Sequence, residues 1–423
     1  MSLKFRLSLM MFLQYAIWGA WLPILYPYLL GHRAFSLDQV GSILAAGAVG
    51  AIIGPFVAGQ VADRWLATEK FLAFCHLVGA GLVWMLAGTA DYSTFLVMSL
   101  VYGLIYTPTL ALTNSLALHH VPDRDKDFAP IRVWGTVGWI VAGIAVGQWL
   151  LMQHSPSDLA GDALAAAQNA GRGDAFKLSA ILGLVMGLYC FCLPHTPPAK
   201  EGKERNATME ALGEIKRQPL LVLFLVTVPV SVVHQFYFVH TSSFLTELQS
   251  GVDPGWFTTS VNAIFGVGGG GLMTVGQMAE IGVIAMVPFM TKVMSRKQML
   301  LVGLLAYALR MAIFSYASTS MLAIVFGLAL HGLCFGCFAF VAYMIVDENT
   351  TKDVRASAQN LFNLVFVGLG IIVGSWFATS VVGNWATVDG AMDYTRLFSI
   401  PMWISLACFA VLLVAYPKKA QVS

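Results

Sequence analysis

Charge is scarce in this chain. Asp, Glu, Lys and Arg make up 11% of its 423 residues, against about 25% in ordinary soluble domains. So little charge identifies an integral membrane protein. Stretches of about ten residues that alternate polar and apolar are also missing, which excludes a membrane β-barrel. No basic tract or arm is present, and a net charge of +2 gives no electrostatic footprint for nucleic acid. The amino-terminal run carries Lys4 and Arg6 but no small-residue cleavage site, so it reads as a retained first helix rather than a signal peptide. Cysteine is sparse: six residues, all inside apolar segments. Cys334 and Cys337 form a C-x-x-C without a second pair or a βαβ context, so the cysteines read as packing groups. No nucleophile elbow, metal-ligand cluster or phosphate loop stands in the loops. The chain is not expected to be an enzyme or to hold a metal or cofactor.

What the chain has in abundance is hydrophobic length. Hydrophobic residues make up 58%, and mean hydropathy is +0.74. Apolar runs of about twenty residues, each long enough to cross a bilayer as a helix, are expected at 7–30, 38–60, 71–90, 93–117, 131–152, 177–195, 218–245, 262–290, 298–317, 321–346, 357–382 and 396–416. The widest charged gap, Pro197 to Gln218, contains Lys200, Glu201, Lys203, Glu204, Arg205, Lys216 and Arg217. It divides the chain into a six-helix half at 1–197, a linker at 198–217 and a second six-helix half at 218–423. The stretch from Gln153 to Lys177 reads as a polar loop with little to bury. The run Gly266–Gly271 is not a dinucleotide fingerprint, because no strand precedes it. It reads as a flexible or kinked start to the eighth span.

Lys and Arg set the orientation. With both termini cytoplasmic, only Arg33, Arg172, Lys177 and Arg396 fall in outer loops. Arg310 lies within a span, and the remaining Lys and Arg fall on the inner side. This predicts a multi-pass protein of the cytoplasmic (inner) membrane with the bilayer as its surroundings. It is expected to be a monomer.

The polar residues inside the spans carry the functional signal. Glu280 sits in the apolar run from Gly271 to Phe289, where a charge costs at least roughly 2.5 kcal/mol. Such a residue is a candidate for handling a proton, an ion or a solute. Gln277 lies one turn earlier on the same face. Arg132, Thr136 and Trp139 share a second face, with Gly135, Gly138, Gly143 and Gly147 permitting close helix approach. A cation, a hydroxyl and a ring together suit a polar, ring-shaped solute. The alternative is an Arg snorkelling to the interface, with the Trp in the aromatic belt. In the seventh span, His234, Gln235, Phe236, Tyr237, Phe238 and His240 cluster. An amide suits the edge of a nucleobase and aromatic faces suit stacking on it. The alternative is hydrogen bonding between helices. His331 and Phe335 lie one turn apart in the tenth span. The histidine is either a partner for the Glu280 proton or a structural residue. Arg310 either neutralises Glu280 or pairs with backbone carbonyls. Gln14 and Asn114 read as links between helices.

Two six-span halves joined by a charged loop form the architecture of a major facilitator. Gly59-Gln-Val-Ala-Asp63-Arg64 after the second span resembles the G-x-x-x-D-R signature of that superfamily. More specifically, the chain resembles the nucleoside–proton symporter family along nearly its whole length. The blocks that carry the likeness are Phe12-Leu-Gln14-Tyr-Ala-Ile-Trp18-Gly-Ala-Trp21, Tyr106-Thr-Pro108-Thr-Leu-Ala-Leu-Thr-Asn114-Ser, Pro130-Ile-Arg132-Val-Trp-Gly135-Thr136-Val-Gly138, Gly276-Gln277-Met-Ala-Glu280 and Val354-Arg355-Ala-Ser-Ala-Gln359. The resemblance implies an all-α fold of twelve transmembrane helices that imports nucleosides with protons by alternating access. It implies a substrate site at Arg132, Thr136, Trp139, Gln235, Phe238, Gln277, Glu280, His331 and Phe335, with Glu280 as the proton-coupling group.

Two positions depart from the family pattern. Phe238 stands where relatives carry Asn, and Gly336 stands where they carry Asp. The first change removes an amide from the pocket. The second removes a carboxylate and leaves a space that a larger solute or a water would occupy. Glu280 then carries the coupling alone, His331 or His234 assists, or coupling is absent. The alternatives to a nucleoside–proton symporter are a carrier of another small polar metabolite, such as a sugar or nucleoside derivative, and a membrane receptor that has lost transport.

Overall fold

The computed structural model describes residues 2–64, 66–198, 207–250, 255–351 and 354–417, without the side chains of 55–64, 124, 125 and 356. The side chains of the Asp63-Arg64 signature and residues 199–206 of the expected linker therefore lie outside what is described. Among the described residues, twelve helices are long and apolar enough to cross a membrane: Leu3–His32, Leu37–Gly54, Thr68–Gly88, Tyr92–His120, Lys126–Gln153, Gly161–Cys192, Leu220–Gln249, Gly270–Val293, Arg296–Tyr316, Met321–Glu348, Ser357–Ala386 and Tyr394–Ala415. They are the first to twelfth spans below. A helix satisfies every backbone group within its own segment, which the apolar interior of a bilayer demands.

Polar side chains start several of these helices. Ser295 and Gln298 form a reciprocal capping box ahead of the ninth span. Asp91 accepts from the amide of Thr94 at 2.8 Å and from its hydroxyl at 2.7 Å. These two bonds hold the Asp91 carboxyl below the usual carboxylate range. Ser320 and Asp393 cap the tenth and twelfth spans in the same way.

The chain forms two compact units. The first comprises Met1–Gly202 with His240–Thr274. Its helices approach closely where side chains are absent: a Cβ on Gly138 would stand 2.1 Å from the Phe12 carbonyl oxygen, and one on Gly50 would stand 1.9 Å from that of Gly103. The stretch expected to be a polar loop is a helix, Gly161–Gly171, that leads directly into Gly173–Tyr189. Arg172 between them is buried. Its guanidinium donates to Asn169 Oδ1 and, at 2.9 Å, to Thr246 Oγ1. One acceptor in the preceding helix and one distant in sequence thus make burial of this cation tolerable, and composition alone does not reveal the second. The glycine run is a pinned break rather than a flexible start to the eighth span. A separate helix, Trp256–Phe265, precedes it, and Gly266, Gly268 and Gly269 take positive φ. The Gln249 side chain bonds both the Gly266 carbonyl and the Gly269 amide.

The second unit comprises Lys203–Val239 with Val275–Ser423. Three segments of its helices widen to π geometry: Cys334–Phe340, Leu364–Leu369 and Phe377–Gly383. A small antiparallel hairpin pairs Thr387–Val388 with Ala391–Met392 across Asp389-Gly390, both at positive φ. Asp-Gly is the turn such a two-residue hairpin favours, and it interrupts the otherwise helical chain.

Candidate functional site

The first unit holds Arg132, Thr136 and Trp139 on the fifth span. The Arg132 guanidinium carbon lies 4.1 Å above the Tyr15 ring, a cation–π contact between the fifth and first spans. Gly135 makes this possible, because a Cβ there would stand 2.7 Å from both Arg132 Nη1 and Tyr15 Cδ2. Trp139 meets Trp18 edge-on at 6.0 Å, and Trp18 in turn lies 6.1 Å from Tyr106. Thr136 is half-buried between these two residues along the helix. Below the rings, Gln14 is fully buried. It donates to Thr109 at 2.8 Å and bonds His76 at 2.9 Å. Gln14 therefore links three helices, as expected. Asn114 shows no such link among the described residues: its amide donates to Leu110 of its own helix.

The second unit holds the other six candidates, and Phe238, Glu280 and Phe335 meet His331. The His331 ring is 2% exposed and sits in a stack of aromatic faces. Tyr237 lies 4.9 Å away at 18°, His234 5.6 Å away at 24°, and Phe335 6.4 Å away at 27°. Phe238 meets the ring edge-on at 6.2 Å. The spacing of His331 and Phe335 predicts a shared face, and the two rings do share one. Gly276 admits this stack to the eighth span, since a Cβ there would stand 2.9 Å from Tyr237 Oη and 3.0 Å from His331 Cβ.

His331 Nε2 lies 3.6 Å from Glu280 Oε2. On the far side of the ring, Arg310 Nη1 meets His331 Nδ1 at 2.9 Å. Arg310 thus bonds the ring that faces Glu280. Its guanidinium stands between two rings, 4.3 Å from Tyr237 and 5.1 Å from Tyr307, and the residue is fully buried. Cation–π contact partly replaces lost hydration. Tyr307 Oη in turn bonds His234 Nδ1 at 2.8 Å.

Gln235 donates to Ser375 Oγ at 3.0 Å. Gly374 lets the eleventh span approach, because a Cβ there would stand 2.7 Å from Gln235 Cβ. Gln277 is 7% exposed, and its Oε1 has no hydrogen-bond partner among the described residues. A buried acceptor of this kind points to a ligand or a water. Gly336 does not leave a space. A Cβ there would stand 2.6 Å from Val283 Cγ1, so the neighbouring span has closed the volume that the missing acid would occupy. The cysteines Cys334 and Cys337 are buried and unbridged.

Sequence reasoning passed over Tyr307 and Ser375. Tyr307 sits in a run that reads as apolar, and Ser375 in a Gly-rich helix. Their roles become visible only when the spans pack.

The sequence matches the model of the Nucleoside H+ symporter family over residues 1–421. The chain belongs to this family. Among its relatives, the xanthosine permease of Escherichia coli is 30% identical over 424 residues, covering 98% of this chain and 94% of that protein. The nucleoside permease NupG of the same bacterium is 26% identical over an equal span, with the same coverage. The crystal structure of the nucleoside transporter NupG superposes with a TM-score of 0.83 at 24% identity, covering 99% of this chain and all of that one. That likeness establishes the major facilitator fold for this member of the Nucleoside H+ symporter family.

Proposed function

We propose that this protein imports nucleosides across the cytoplasmic membrane together with protons, by the alternating access that its fold implies. The observation that carries the reading is the arrangement around His331. Gln277 offers an acceptor with no partner among the described residues, Glu280 offers a carboxylate at membrane depth, and stacked rings offer faces suited to a base. In this reading Gln235, Phe238, Gln277, Glu280, His331 and Phe335 bind the solute, joined by Arg132, Thr136 and Trp139. Glu280 takes up and releases the proton. The protein works as a monomer with both termini in the cytoplasm, and its moving parts are the six-span halves 1–197 and 218–423 joined by the 198–217 linker. The Lys and Arg distribution supports that orientation.

The test is uptake of labelled nucleosides into proteoliposomes, with and without an imposed inward proton gradient. Accumulation that collapses when the gradient is dissipated is the expected result. A second substrate class is another small metabolite, such as a nucleoside derivative, since Phe238 beside the His331 stack offers an apolar wall and no amide. A solute panel in the same vesicles separates the two, because the second reading predicts no competition from nucleosides.

A further inference from the structure

The pairing of Arg310 with His331 has a chemical consequence. A guanidinium has only donors and stays protonated in proteins. At 2.9 Å, Arg310 Nη1 therefore donates to His331 Nδ1, which must carry a lone pair. A neutral imidazole with an acceptor at Nδ1 has its hydrogen on Nε2. That is the nitrogen 3.6 Å from Glu280 Oε2, a charge–dipole contact longer than a formed hydrogen bond. Protonating Nδ1 would remove the acceptor and set a second cation against a buried first one.

We propose that Arg310 is a positioning residue that locks His331 as the Nε2–H tautomer, making His331 a fixed donor toward Glu280 and not a proton carrier. Arg310 touches neither solute nor proton; it acts through the ring. The titratable and charged groups facing His331 from the packed spans are His234 and Tyr237 on the seventh, Glu280 on the eighth, and Tyr307 and Arg310 on the ninth. Cys334 lies one turn along its own helix. Among these, Glu280 is the acceptor that Nε2–H faces. While Glu280 is ionised, that hydrogen points at an anion. Once Glu280 is protonated, the hydrogen becomes available to an acceptor atom of the solute. Proton uptake on one residue then prepares a hydrogen bond from its neighbour. This rests on Glu280 being the proton-coupling group proposed above.

The decisive measurement is the ring 15N spectrum of histidine-labelled protein in lipid, with the His331 signals assigned by their loss in His331→Gln. The expected result is a neutral Nε2–H ring across roughly pH 5–8, the range in which histidines ordinarily change charge. In Arg310→Met, a volume-matched apolar replacement, the ring should become a tautomer mixture or cationic. An Nδ1–H or titrating ring in the unaltered protein overturns the proposal, as does an unchanged single tautomer in Arg310→Met. If that variant fails to fold, the unaltered protein still decides the matter. None of this requires transport, so failure here is distinct from failure of the symport reading. Uptake adds an independent arm. Glutamine takes no proton, so whatever uptake remains in His331→Gln, read at saturating solute, should keep the pH dependence of the unaltered protein. Loss of that dependence, with counterflow intact, would make His331 a proton carrier and overturn the proposal.

Discussion

Val283 fills the volume beside Gly336: a Cβ added to the glycine would stand 2.6 Å from Val283 Cγ1. Restoring the acid at this position is therefore not a simple gain of a carboxylate. Gly336→Asp should lower stability by about 1–3 kcal/mol through overpacking, and Val283→Ala in the same chain should recover much of the loss. Thermal unfolding of purified protein in detergent checks this. Equal stability of Gly336→Asp and the unaltered chain would mean that the eighth and tenth spans separate easily there.

Gln277→Ala should weaken nucleoside binding with little change in unfolding temperature. Its Oε1 has no bond to lose within the described protein. A hydrogen bond to solute that replaces one to water contributes about 0.5–1.5 kcal/mol, so affinity should fall about two- to tenfold. Calorimetric titration decides it, and unchanged affinity in folded protein would remove Gln277 from the binding site.

Glu280→Gln should abolish accumulation driven by a pH gradient while leaving exchange of solute down its own gradient. The amide keeps the shape of the carboxyl but cannot alternate between two charge states, and that alternation is the coupling device. Uphill uptake by this variant with an ordinary pH dependence would assign the proton to another residue.

Gly135→Ala should act on a residue it does not replace. The added methyl occupies the place where Arg132 meets Tyr15, and a cation–π contact of this kind contributes about 0.5–2 kcal/mol. Affinity should fall in the same direction as in Arg132→Ala, measured side by side. An effect in Arg132→Ala alone would mean that the guanidinium keeps its place without the stack.

Phe238 predicts shallow discrimination among sugars. A site built to hydrogen-bond a hydroxyl rejects analogues lacking it by about four to five orders of magnitude, whereas an apolar wall manages about 10–200-fold. Competition by ribo-, 2′-deoxy- and dideoxynucleosides should therefore fall off gently. Steep loss with each missing hydroxyl would show polar contacts taken over by other side chains.

The twelve spans were legible in sequence because hydrophobic length is a one-dimensional property. Where the expectation for the eighth span began too early, at 262, three positive-φ glycines break the helix inside an unbroken apolar run. Hydropathy does not register backbone sign. The helix at Gly161–Gly171 was missed for the opposite reason: its polar composition hides a burial in which Arg172 finds an acceptor elsewhere, at Thr246. Within the site, faces shared along one helix were readable, as with His331 and Phe335. Contacts across helices were not. The partner of Arg310 was left open, and the volume beside Gly336 was misjudged. Each depends on how closely two spans approach, which glycine permits but does not dictate.

The π-helical stretch at Cys334–Phe340 gives the tenth span an unusual mutational character. Such a segment admits one residue more than an α-helix needs, and it follows His331 directly along the span. Substitutions before it change the groups that face Glu280. Deleting one residue within it would let the segment close into α-helix and leave both flanks, His331 and the stretch from Val341 to Glu348, facing nearly as they do, whereas the same deletion in an α-helical stretch would turn everything beyond by about 100°. In an evolving lineage, this helix can therefore change length there without re-aiming either end.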